Sequence, residues 1–169
     1  MNPWILLGNF NSIVFDYVTR QKIGGMAMGF YIVKQLPILS PKQYSSQDLD
    51  FISPRVIELT YTAWDLEPFA KDVIKKIGAD TWNRWFPKNP LVSGRPQPFV
   101  WDEERRTILR AELDACYAKL YGLNRAELEY VLGTFPVLQK NEGRLFGEYR
   151  TKRLVLEAWD RQEQVVKEK

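Results

Sequence analysis

Residues 102–133 read DEERRTILRAELDACYAKLYGLNRAELEYVLG, two helical signals separated by a single glycine. From Asp102 to Tyr121, the residues Ile108, Leu109, Leu113, Cys116, Tyr117 and Leu120 recur at three- and four-residue steps and form one apolar stripe. Asp102, Glu103 and Glu104 fall in the first turn, where carboxylates complement the helix dipole. Gly122 is a stop signal, because glycine adopts the left-handed conformation that ends a helix at little cost. Asn124 and Glu127 then have the spacing of a capping box and open a second helix through Leu128, Val131 and Leu132. The spacing predicts an antiparallel helical hairpin with a very short turn.

Working outward, the C-terminal side predicts a polar loop around residues 141–143 after Pro136, then a final helix from Phe146 to about Gln164. On the N-terminal side, Phe86 to Phe99 carries Pro87, Pro90, Pro96 and Pro98, four prolines in fourteen residues, and is expected to be a loop or linker. Helical periodicity recurs over Glu67 to Ile77 and over Asp48 to Tyr61, with Pro54 placed by its chemistry in a first turn. Asn2 to Thr19 reads as one helix, with Leu6, Phe10, Val14 and Tyr17 on one face. Gly24 and Gly25 break the chain and permit positive φ or close backbone approach. A short helical turn over Gly29 to Gln35 and an extended Leu36 to Leu39 follow. The expected fold is mainly α, with at most a small β element in the first 45 residues. It divides into residues 1–85, a proline-rich linker over 86–100 and a helical segment over 101–169.

Composition narrows the chemistry. The 169 residues are 45% hydrophobic and 14% aromatic, enough for a sizeable core, and 24 basic against 21 acidic side chains leave a net charge of +3. The absence of histidine excludes every mechanism built on imidazole, and the one cysteine excludes an internal disulfide and a multi-cysteine zinc site. Cys116 lies on the apolar stripe and is expected to be a buried structural thiol. No apolar run approaches the roughly 20 residues of a membrane span. The opening Met-Asn-Pro-Trp has no signal-peptide character, so the expected compartment is the cytoplasm.

Short motifs for catalysis are few. Asn2-Pro3-Trp4 and Asn89-Pro90-Leu91 each lack the second proline and ring of the Asn-Pro-Pro-aromatic motif of amino methyltransferases. The glycines of 24–29 lack the Gly-Lys-Ser/Thr ending of a phosphate loop. The acidic pairs Glu103/Glu104, Glu127/Glu129 and Asp160/Glu163 read as solvated helix faces. No cofactor, metal site or catalytic residue is expected, and the chain is not expected to be an enzyme by itself.

Charge is spread unevenly. Tyr17 to Gln47 contains no Asp or Glu but carries Arg20, Lys22, Lys34 and Lys42. A second acid-free window, Thr81 to Trp101, sets Arg84, Lys88 and Arg95 among Trp82, Trp85, Phe86, Phe99 and Trp101. Cations interleaved with rings suit a nucleic-acid surface, although charge alone favours solvated side chains around an ordinary core.

The order of the pieces adds to this. Leu6-Leu7, Asn9, Asn11-Ser12, Phe15-Asp16-Tyr17, Arg20, Gly24-Gly25, Phe30-Tyr31, Leu36-Pro37-Ile38 and Ser40-Pro41 together resemble the end of the target-recognition region in large adenine-N6 DNA methyltransferases of restriction–modification systems, with their TaqI-like specificity domain. Ala63-Trp64-Asp65, residues 110–114, Leu120-Tyr121-Gly122-Leu123 and residues 147–151 are similar to the extreme C-terminal tail of such proteins. The resemblance implies a helix containing Leu-Asn-Ser, a basic glycine-rich turn and a terminal Leu-Pro-Ile strand. It implies double-stranded DNA as partner and sequence readout as role. The methyltransferase core and any nuclease motif are absent, so the expected function is a DNA-recognition fragment or subunit. Arg20, Lys22, Lys34 and Lys42 would meet phosphates, Gly24 and Gly25 would let the backbone approach, and Arg20 and Gln35 would read base edges. The alternative is a helical module that docks on a methyltransferase or nuclease partner, which the balance of thirteen basic and thirteen acidic side chains over 101–169 would suit.

Overall fold

The computed structural model describes residues 2–25 and 28–167. It is mainly α, with ten α-helices among the described residues: α1 (Pro3–Phe10), α2 (Ile13–Lys22), α3 (Phe30–Val33), α4 (Ser46–Thr60), α5 (Glu67–Ile77), α6 (Ala79–Trp85), α7 (Glu103–Leu120), α8 (Arg125–Gly133), α9 (Pro136–Phe146) and α10 (Arg150–Lys167). Short 3-10 turns cover Pro41–Gln43 and Trp64–Leu66. The β pairing among the described residues is an isolated antiparallel bridge between Val92 and Arg95, around a turn with Ser93 and Gly94 both at positive φ. The small β element allowed for near Leu36 to Leu39 does not form: Leu36 lies at a bend and residues 37–39 pair with no strand.

The core has two lobes with α7 between them. Leu113, Cys116 and Tyr117 on α7 join the first, with Trp4, Ile5, Ile52, Val56, Ile57, Val73, Trp82 and Phe86. Ala111, Ala115 and Ala118 face the second, where Leu128, Leu132, Phe135, Val155 and Trp159 pack. Alanines on that side let α10 lie close along α7, and α10 rather than α8 is the main partner of α7. The expected simple α7–α8 hairpin is thus a three-helix arrangement in which α8 leans on α10 and α2. The turn itself is as read: Gly122 has φ 79°, and the Asn124 side chain accepts from the Glu127 N–H while Glu127 accepts from the Asn124 N–H.

Other expectations need correction. The helix read over Asn2 to Thr19 is two helices, because Ser12 caps α2 by accepting from the Phe15 N–H and so resets the period. The face that packs is Trp4, Ile5, Gly8 and Asn9, leaving Leu7 and Phe10 exposed. Ser45 and Asp48 form a capping box that starts α4 early, so Pro54 sits inside the helix rather than in its first turn. Residues 141–143 belong to α9, which begins with Pro136 in its first turn and ends at Gly147 in the left-handed conformation. Ile108 is exposed rather than on the buried stripe.

Residues 86–100 are fastened to the first lobe. Phe86 and Phe99 stack edge-on at 4.8 Å, the Phe99 N–H donates to Tyr61 O and the Tyr61 hydroxyl donates to Pro96 O. Arg95 grips Glu67 through both carboxylate oxygens and, with Lys71, holds that carboxyl down to about 2. Gly8 marks a close helix approach: a Cβ there would lie 2.6 Å from the Tyr117 hydroxyl and 2.8 Å from Val56 Cγ2.

Candidate nucleic-acid interface

The acid-free window Tyr17 to Gln47 has two parts in the structure. Its ends are held and its middle stands out. At one end α2 packs into the second lobe through Ile13 and Val14, and the Ile23 N–H caps it on Thr19 O. At the other end Leu36 and Leu39 are buried. A relay of polar groups fixes them: the fully buried Asn9 accepts from the Leu39 N–H and donates to the Tyr121 hydroxyl, which donates to Pro37 O at 2.7 Å. Ser40 and Gln43 then close a capping box on the following 3-10 turn.

Between these anchors the described residues are largely solvent-facing. Lys22, Gly24, Gly25, Lys34 and Gln35 are all exposed, and Lys42 is exposed beyond the second anchor. So are three large apolar side chains: Met28 at 50%, Phe30 at 75% and Tyr31 at 71%. Phe30 and Tyr31 belong to α3, a four-residue helix none of whose residues is fully buried. Lys34 Nζ lies 5.0 Å from the centre of the Phe30 ring, a cation–π distance. The Gln35 amide turns back to Tyr31 O at 3.4 Å. Gly24 and Gly25 do not use positive φ, and a Cβ on either would meet nothing within 4 Å, so neither glycine is required by the backbone fold here. The segment with Gly24 and Gly25 is thus an exposed arm, and Leu36 to Leu39, which carries no strand pairing, is its anchored end.

Arg20 stands apart from the arm. Its Nε and Nη2 bind both oxygens of Asp16 at 3.0 and 2.9 Å, its charge is favoured by that carboxylate, and its guanidinium lies 4.9 Å over the Phe135 ring. It lines a cleft of about 1070 Å³ between α2, α7, α9 and α10. The cleft is laced with ion pairs, Glu103 to Arg110 and Glu104 to Arg150 among them. Within it Asp114 accepts from the Ile13 N–H at the start of α2, at 2.7 Å, and burial pushes its carboxyl up to about 7. The other acidic pairs are likewise engaged across helices, Asp160 with Arg125, Glu129 with Lys152 and Glu163 with Lys119. Burial raises the Cys116 thiol to about 12, which leaves it protonated and unreactive.

The second acid-free window is divided between core and surface. Trp82 and Phe86 are buried and Phe99 packs on both, while Arg84, Lys88 and Trp101 are exposed and Arg95 is paired with Glu67. The lysine positions of the arm were visible in the sequence as a charge gap. Phe30 and Tyr31 as unburied rings were not, since a ring in a sequence more often marks a core. Their signal is local: no polar-apolar period surrounds them and glycines precede them. No helix among the described residues is long and apolar enough to cross a membrane. Among known proteins, no family model, no curated sequence and no solved structure matches this chain.

Proposed function

We propose that the chain is a DNA-recognition module of an adenine methyltransferase system, with the described residues from Lys22 to Lys42 as its contact surface. The observation that carries this is the exposed, acid-free arm: Lys22, Lys34 and Lys42 beside Phe30 and Tyr31, held at both ends by the core. A cationic segment fixed at its ends loses little freedom when it meets phosphates, which favours binding over a fully flexible tail. Gln35 sits where it can be offered to a base edge, at the end of α3. Arg20 is a weaker contributor, because Asp16 already neutralises it.

The test is a titration of duplex DNA by fluorescence anisotropy at several salt concentrations. Three lysines displacing counterions give a log–log slope of about −3. Replacing Lys22 and Lys34 together by Ala lowers the slope by about two units, whereas Arg20→Ala changes it little. A slope unaffected by the lysine pair, or no binding at low salt, rules the reading out.

A second reading has its own observation. Val137, Leu145 and Phe146 on α9 are exposed at 72%, 67% and 51%, and α9 buries none of its residues fully. Exposed apolar side chains of this kind suit docking on a methyltransferase or nuclease partner. The same titration separates the two, since docking through α9 requires no DNA contact.

A further inference from the structure

The lysines of the arm account for phosphate affinity but leave unexplained why three large apolar side chains of the same segment stand in solvent. Met28, Phe30 and Tyr31 are contiguous apart from Gly29, and the two rings sit on a helix of one turn. We propose that Phe30, flanked by Met28 and Tyr31, is a wedge that enters a base step of duplex DNA and partly unstacks it. This deepens the reading of the arm as a DNA-contacting surface and rests on it.

Three features converge. Charge selects the partner: the segment that carries the wedge has no acidic side chain between Tyr17 and Gln47 and is cationic, which suits a polyanion. Lys34 Nζ lies 5.0 Å from the Phe30 ring centre, so a phosphate met by Lys34 brings the ring to within one side-chain length of the bases that phosphate connects. Phe and Met are the kind of side chain that proteins place between base pairs, being flat or slender, apolar and without a hydrogen-bond demand that stacked bases would leave unmet. The anchors complete the arrangement. Leu36 and Leu39 in the core and the Tyr121 bond to Pro37 O give α3 a firm base against which insertion can push.

The experiment uses the full chain and an alternating A·T duplex in which 2-aminopurine replaces adenine at TpA steps, the most easily opened steps. Anisotropy reports binding, and 2-aminopurine emission, quenched in a stack, reports unstacking. Binding by the unaltered chain is expected to raise the emission. Phe30→Ala, at an exposed position that leaves the helical circular dichroism unchanged, is expected to abolish the rise and to weaken binding about tenfold, the size of one lost base contact. Its salt slope stays that of the unaltered chain, because no lysine is lost. Lys34→Ala is expected to do the converse, lowering the slope by about one unit while the emission still rises at saturation. Binding with a normal slope but unchanged emission overturns the wedge and leaves the DNA reading standing. So does a Phe30→Ala variant that binds and unstacks like the parent, which returns the exposed rings to a protein partner. Absence of any anisotropy change at low salt removes the DNA reading and the wedge with it.

Discussion

Asp114 is a carboxyl group set at the N-terminus of α2 and largely closed off from water, and these two facts oppose each other. The Ile13 N–H and the Arg110 charge favour the ionised form, while burial and Asp16 disfavour it, and burial wins. The folded-state pKa of about 7 exceeds the ordinary 3.8. Between those values the folded chain holds a proton that the unfolded chain has released, so stability falls as pH rises through the window and levels off above about 7. Asp114→Asn keeps an acceptor for Ile13 and removes the charge. Its advantage over the parent is expected to grow by about 2 kcal/mol between about pH 4 and about pH 8, roughly half the full linkage value because Asp114 keeps an edge on the open cleft. Urea midpoints for both proteins at the two pH values measure it. A constant difference would mean that Asp114 is ionised in the fold throughout.

At the scale of elements, α7 was the most legible and also shows where legibility ends. Its start, its end and the start of α8 were readable because Asp102, Gly122 and the Asn124–Glu127 box are local chemistry. Which side of its stripe is buried depends on the partners, and they place Leu113 in the core at 7% exposure but leave Ile108 at 38%. Leu113→Ala is therefore expected to cost about 2–5 kcal/mol, and Ile108→Ala under about 1 kcal/mol. Denaturant midpoints rank them, and the reverse order would put the stripe on the other face. The same physics explains the elements that were hard to read. α9 buries no residue fully, so Asn141 to Gly143 shows no apolar period and reads as loop. The break between α1 and α2 hides behind an apolar repeat that continues across it, and only the Ser12 cap gives it away. For the arm, the charge gap was legible residue by residue. The pairing that withdraws Arg20 was legible only as an i, i+4 spacing to Asp16. The exposure of Phe30 was not, because it follows from where Leu36 and Leu39 are pinned.

Over the whole molecule, α7 belongs to both lobes of the core, presenting Leu113 and Tyr117 to one and its alanines to the other. Neither lobe keeps its buried surface if α7 leaves. Unfolding is accordingly expected to be a single cooperative transition. Far-ultraviolet circular dichroism, which averages all helices, should coincide with tryptophan emission. That emission reports Trp4 and Trp82 in the first lobe and Trp159 in the second. Two separated transitions would mean that the lobes fold independently despite the shared helix. The ion pairs Arg125–Asp160 and Lys152–Glu129, which join α8 to α10, lie on the surface and add little to this cooperativity.

The bond from the Tyr121 hydroxyl to Pro37 O spans 84 residues of chain, and the bond from Asn9 to the same hydroxyl spans 112. A ribosome that adds about 5–20 residues per second makes the stretch from Pro37 to Tyr121 in roughly 4–17 s. Throughout that interval the lysine-bearing segment has been made without the tyrosine that fastens it. Its birth order runs against its architecture: the part of the chain that faces outward is made early, and the part that sets its position is made late. The arm acquires its fixed base only when α7 is complete and has docked.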